Sequence, residues 1–296
     1  MFKITCTITI LLLYIATKAQ YAHDSLKTAE DGYIHYYTKG IGKPVVLLQG
    51  GPGFSSYYMR SIADSLVNYK TILIDYRGHG RSQYKKPDTT WANIENIIMD
   101  VEIVRKKLNI NQWSVIGNSY GSHFALYYAV KHPERTSKIV LTASPGTSNA
   151  FLIYYSDNIG MRRTEKDIET LRNRTDLTPM ESRRISFRPY FFDTSKTKVI
   201  FTAPPEEELI FNNREYFEVA VSRPDFNEWD ISKEVYALDI PILILQGRQD
   251  PVNGTEVQLN ERAKNSKLVY LERAGHFPWA EKPVEFFNEL RIFLKN

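Results

Sequence analysis

Five residues, Gly117-Asn118-Ser119-Tyr120-Gly121, constrain this chain more than any other stretch. They separate an apolar run, Trp113-Ser114-Val115-Ile116, from a helix-like segment running from Ser122 to Val130. A glycine-x-serine-x-glycine spacing between a strand and a helix forces a sharp, strained turn. The glycines let the two backbones pass closely, and the serine hydroxyl is lifted clear of the sheet. The helix N-terminus behind it favours negative charge that develops there. The pattern fixes only three positions and also arises by chance, so the rest of the chain has to supply what a nucleophilic serine needs.

Other apolar runs set the context. Tyr33 to Thr38 is aromatic and β-branched and reads as a strand. Val45-Val46-Leu47-Leu48, Thr71-Ile72-Leu73-Ile74, Lys138 to Thr142, Pro241 to Leu245 and Lys267 to Leu271 read as buried parallel strands. Between Trp91 and Leu108 the residues Ile94, Ile97, Ile98, Val101, Val104 and Leu108 recur at helical spacing, and a last amphipathic helix carries Val284, Phe286, Phe287, Leu290, Ile292 and Phe293. Strand-helix-strand alternation predicts an α/β fold, a mostly parallel sheet with helices on both faces. The rhythm breaks at Pro145-Gly146 and resumes near residue 236. Residues 20–145 and 236–296 are therefore expected to form one core. Residues 146–235 form an inserted, mainly helical cap, with one possible strand at Lys198-Val199-Ile200-Phe201.

The first nineteen residues form a unit of their own. Lys3 precedes an apolar run from Ile4 to Ala16, and Ala16-Thr17-Lys18-Ala19 offers small residues for signal-peptidase cleavage after Ala19. The run falls short of the about 20 residues a spanning helix needs, which favours a cleaved signal over a retained anchor. The expected location is the periplasm or the exterior, with no stable membrane insertion after cleavage. Cleavage would remove Cys6, the sole cysteine, and with it thiol catalysis, disulfides and cysteine-ligated metal. A formal charge of +4, spread along 296 residues without a basic stripe, argues against nucleic acid as a partner.

Ligands of parallel sheets gather at the carboxyl ends of strands. There the chain places Gln246-Gly247-Arg248-Gln249-Asp250 and, after the next strand, Gly275-His276. A hydroxyl needs a base within reach, and the base needs a carboxylate to fix its tautomer. Ser119, Asp250 and His276 stand in the chain order by which such sheets build the triad. Of the six histidines, His23 falls in the expected unstructured start and His35 in an early strand. His123 lies one turn into the helix, His132 closes it, and His79 could be structural or face substrate. Asp239 precedes its strand and so lies at the wrong end of the sheet. Backbone N–H groups of Tyr120 and of Gly51, in the loop Gly50-Gly51-Pro52-Gly53, are the expected oxyanion donors. No His and carboxylate cluster has metal-ligand spacing, so no metal or cofactor is implied.

Together these segments resemble the α/β-hydrolase fold, and within it the proline iminopeptidase-like serine peptidases. Gln49-Gly50-Gly51-Pro52-Gly53 is similar to that family's His-Gly-Gly-Pro-Gly, and Asp75-Tyr76-Arg77-Gly78-His79-Gly80-Arg81-Ser82 to its Asp-x-Arg-Gly-x-Gly-x-Ser. Gly117 to Ser122 is similar to its Gly-Gly-Ser-Trp-Gly-Ser, and Gly247-Arg248-Gln249-Asp250 and Gly275-His276 match its acid and base segments. Gln49 for histidine and Tyr120 for tryptophan are departures, the first expected to support the oxyanion loop, the second to reshape the acyl pocket. The resemblance implies acidic cap residues that hold a substrate's amino group. Gly50, Glu206, Glu207 and Glu208 are the candidate substrate contacts, although Pro204-Pro205 also makes the glutamates a plain helix start. The expected activity is release of N-terminal proline or a small residue from short peptides. The alternatives are an esterase or lactonase on small acyl substrates and a non-catalytic binding protein; oligomeric state is left open.

Overall fold

A computed structural model describes residues 20–28, 32–82, 93–202, 213–223 and 228–295, with backbone alone at 214, 217 and 220. Among the described residues eight strands form one sheet: β1 (Ala22–Lys27), β2 (Tyr33–Lys39), β3 (Lys43–Leu48), β4 (Tyr69–Asp75), β5 (Trp113–Asn118), β6 (Thr136–Thr142), β7 (Ile242–Gly247) and β8 (Ser266–Leu271). Their order is β1-β2-β4-β3-β5-β6-β7-β8. The β1–β2 and β2–β4 pairs are antiparallel and all later pairs are parallel. β1 carries His23, so the start of the described chain is an edge strand rather than unstructured. Alternation along Ala22–Lys27 is too polar to signal it, and pairing with β2 along its whole length is what orders it.

Continuous apolar runs arise because both faces of the sheet are covered. Val46, Leu48, Ile72 and Ile74 join one core layer, and Val45, Leu47 and Leu73 the other, as alternate residues of a pleated strand must. The first layer is closed by α2 (Ile94–Lys107), α3 (Tyr120–Lys131), α9 (Ser232–Ala237) and α10 (Glu256–Arg262). The second is closed by α1 (Arg60–Ser65), α11 (Pro278–Glu281) and α12 (Pro283–Lys295). α2 begins where the Asn93 side chain accepts from Asn96 N at 2.9 Å. In α12 Phe286 and Leu290 are buried with Leu294, whereas Val284 and Ile292 face solvent, so the apolar stripe is narrower than its sequence suggests.

Between β6 and β7 the chain forms α4 (Leu152–Gly160), α5 (Glu165–Asn173), α6 (Pro179–Ser186), α7 (Thr197–Ile200), α8 (Arg214–Val221) and α9. The segment leaves and returns at one place. Ser148 bridges Asp230, Asn149 N donates to Trp229 O at 3.0 Å, and Ile231 N donates to Thr147 O at 3.0 Å. The possible strand at Lys198–Phe201 is instead the short helix α7 and its cap. Its β-branched residues are overruled by packing: Ile200 and Phe201 are buried, with Phe201 against Phe187 and Phe277 at 4.7 and 5.7 Å between rings. Glu206, Glu207 and Glu208, like residues 1–19, lie outside the described residues.

Candidate active site

The turn after β5 has the strained geometry its sequence demands. Ser119 sits at φ 54° and ψ −126°, a conformation that L residues rarely adopt and that costs about 1–3 kcal/mol. Neighbouring contacts hold it there. Ser119 N donates to Thr142 O on β6 at 2.9 Å, and Ser122 N donates to Ser119 O at 2.8 Å. A Cβ on Gly117 would lie 2.3 Å from Gly121 O, and one on Gly121 would lie 2.2 Å from Leu48 O. Strand, turn and helix are thus pressed together, and no side chain fits at either position. The serine hydroxyl does not cap α3; it lines a cavity of about 720 Å³ between the sheet and the helices inserted after β6.

The ends of β7 and β8 bring Asp250 and His276 together. His276 Nδ1 lies 2.9 Å from both Asp250 oxygens, and both side chains are almost wholly buried. A carboxylate only accepts, so in the neutral ring Nδ1 carries the proton and Nε2 is the nitrogen that can take one. Asp250 is itself held by Gln246 Nε2 at 3.0 Å and Val252 N at 2.9 Å. The His276 loop is pinned from two directions. His276 N donates to Tyr190 O at 2.7 Å, and Gly275 N donates to the Glu281 carboxylate at 2.7 Å. A Cβ on Gly275 would meet Tyr190 O at 2.2 Å, so the base loop and the inserted helices touch backbone to backbone. His276 and Ser119 line the same cavity.

The Gly50 to Gly53 loop forms another wall. Gly50 N donates to Tyr58 Oη at 2.6 Å, and Tyr58 passes its own proton to Asn118 Oδ1 at 2.8 Å, which ties the loop to the residue before Ser119. Gly53 N donates to His79 Nε2 at 2.9 Å. His79 must then donate from Nδ1 to Arg77 O, and burial holds its pKa down to about 3, so the ring stays neutral. That decides between the two roles left open for His79: it is a strut for the loop. Arg77 in turn makes a buried two-pronged pair with Asp100 at 2.7 and 2.9 Å. With Gly50 and Gly53 engaged, Gly51 is left at φ 125° with an N–H that meets no acceptor among the described residues. Tyr120 opens α3, so its N–H stands outside the helical ladder, at the positive end of the helix. Gln49 is fully buried. It holds the loop through its backbone carbonyl, which accepts from Tyr76 Oη, and its amide atoms find no partner among the described residues.

His123 is buried between Trp229 and the Tyr120 ring, with ring centres 4.1 and 4.9 Å away. His132 caps the end of α3, and His23 on the edge strand β1 meets His35 on β2 at 2.9 Å. Two charged residues that no motif in the chain singles out, Glu218 on α8 and Arg163 after α4, also line the cavity. So does Tyr58, whose part in tying the loop to Asn118 has no spacing signature in the sequence.

A mostly parallel sheet that presents a strained serine, and a carboxylate-held histidine at the same cavity, is the plan of an α/β-fold hydrolase. The chain belongs to the alpha/beta hydrolase fold family, whose sequence model matches residues 43–283. It is similar to a proline iminopeptidase of Saccharolobus solfataricus, 28% identical over 88% of each chain. A putative proline iminopeptidase of Mycoplasma genitalium is 39% identical, over 40% of this chain and 39% of that protein. Among solved structures, a proline iminopeptidase-related protein from Thermus thermophilus superposes with a TM-score of 0.75 over 93% of this chain and 98% of that one, at 18% identity, which speaks to fold alone.

Proposed function

We propose that the protein is a serine hydrolase acting through an acyl-enzyme, and that it releases N-terminal proline or a small residue from short peptides. The carrying observation is the His276–Asp250 pair, whose free Nε2 shares a cavity with the strained Ser119. Ser119 Oγ attacks the carbonyl carbon while His276 Nε2 takes its proton, and the cation so formed rests on Asp250. The tetrahedral oxygen is met by the N–H groups of Gly51 and Tyr120. Collapse breaks the C–N bond as His276 returns the proton to the leaving amine. Water then attacks the ester by the same route and frees Ser119.

The finer reading rests on Glu218. An ammonium group in a largely apolar cavity needs an anion, and Glu218 supplies one on the wall formed by α8. Similarity to proteins named proline iminopeptidases favours the same substrate class. Residues 146–235 act as a lid in this reading, and residues 1–19 direct export, which the N-terminal sequence of the secreted protein would test. Turnover of prolyl-naphthylamide against short-chain nitrophenyl esters tests the activity. A large preference for esters rejects the peptidase reading in favour of an esterase, and failure of a fluorophosphonate to label Ser119 rejects the mechanism.

A further inference from the structure

Two charges of opposite sign, Glu218 and Arg163, line the cavity from different elements. Glu218 belongs to α8, and α8 is seated on the oxyanion side: Asn213 N donates to Gly53 O at 2.9 Å, Asn213 Nδ2 donates to Gly78 O at 3.1 Å, and Tyr216 packs on His79. Arg163 follows α4, and the end of α4 is seated on the acid–base side. Asn158 Nδ2 donates to Pro251 O at 3.0 Å, and Arg162 donates to Gln249 O and Pro189 O, the carbonyls just before Asp250 and Tyr190. Tyr190 lies 5.4 Å from the His276 ring and shares a hydrogen bond with Tyr155. Burial raises both phenols, and the Arg163 charge acts against that rise, so its field reaches the pair beside the base. Among the described residues Arg163 makes no ion pair, and its side chain is exposed at the cavity.

Direction follows from the chemistry. His276 hands its proton to the departing amine, so the leaving group lies on the His276 side, and the acyl portion lies toward the oxyanion loop. We infer that Arg163 receives the carboxylate of the leaving group, so that the substrate is a di- or tripeptide with both termini free, spanning from Glu218 to Arg163. This inference rests on the peptidase reading above and narrows it from an N-terminal preference to a doubly charged substrate. A guanidinium is suited to this task because its planar donors match a carboxylate two for two. The cavity, about 720 Å³, falls within the usual range for sites that enclose a small ligand.

The experiment compares kcat/KM for prolyl-alanine, prolyl-alanine amide and prolyl-naphthylamide in the full chain and in its R163Q and R163E variants. For the unaltered protein the free acid should exceed the amide by about tenfold or more, the worth of one charge-assisted hydrogen bond. The ratio should fall to near one in R163Q and below one in R163E, with thermal melting unchanged because the side chain is exposed. A free-acid preference that is absent at the outset, or that survives both substitutions, overturns the inference; cleavage of prolyl-naphthylamide in that case leaves the peptidase reading standing. Failure of the unaltered protein to cleave any of the three overturns both.

Discussion

His276 Nδ1 is equidistant from the two oxygens of Asp250, 2.9 Å from each, and that relationship fixes which nitrogen of the ring faces the cavity. An asparagine at 250 can present its NH₂ to Nδ1, which moves the ring proton to Nε2 and removes the base. D250N should therefore lower kcat by about 10⁴-fold while KM changes little. Steady-state kinetics on prolyl-naphthylamide measures this, and a loss below about tenfold would show that Asp250 does not hold the base.

Ser119 offers a way to separate strain from chemistry. Alanine keeps the Cβ and so keeps the cost of φ 54°, while glycine relieves it. Both variants should be inactive. S119G should be more stable than S119A by about 1 kcal/mol, the relieved strain less the extra entropy glycine loses on folding. Chemical denaturation of the two variants reads the difference, and equal stabilities would mean the turn is not strained.

Gly50 approaches the nucleophile closely. A Cβ there would stand 2.8 Å from both Ser119 Cβ and Asn118 O, so G50A must push the loop from the turn and shift Gly51 N–H with it. The expected loss is about 10²–10³ in kcat, that of one oxyanion donor. The variant should still be labelled by a fluorophosphonate, only more slowly; labelling at the full rate would remove Gly51 from the oxyanion site.

Local chemistry made the core and the candidate triad legible. Runs such as Val45–Leu48 announce burial on two faces, and Gly117, Ser119 and Gly121 encode a close approach that the backbone then enforces. Residues whose placement depends on distant partners were hidden. β1 is polar and exists because β2 pairs with it. Lys198–Phe201 has strand-like composition and becomes helical because Phe187 and Phe277 offer Phe201 a place to pack. Glu218 and Arg163 sit among many charges on polar helices, and only the fold tells which of those charges faces the cavity. Glu206, Glu207 and Glu208, singled out because they lie in the insertion, fall outside the described residues.

His123 makes the fold's acid sensitivity testable apart from catalysis. Burial pushes its pKa from 6.5 down to about 3, and among the described residues neither ring nitrogen has a partner. Below pH 6.5 the unfolded chain binds a proton there that the folded chain refuses. Stability is thus complete above 6.5 and is lost as pH falls toward about 3, at about 1.4 kcal/mol per pH unit. His79, held down by the same burial, adds a like slope. H123F removes one of the two, so its unfolding free energy between about pH 5.5 and about pH 4 should fall less steeply by about 1.4 kcal/mol per unit. Near neutrality it should be about 1 kcal/mol more stable, since an unpaired buried imidazole is replaced by a ring with nothing to satisfy. Urea denaturation at several pH values measures both effects. A slope unchanged by H123F would mean that His123 can protonate in the folded protein, and so that it has a partner.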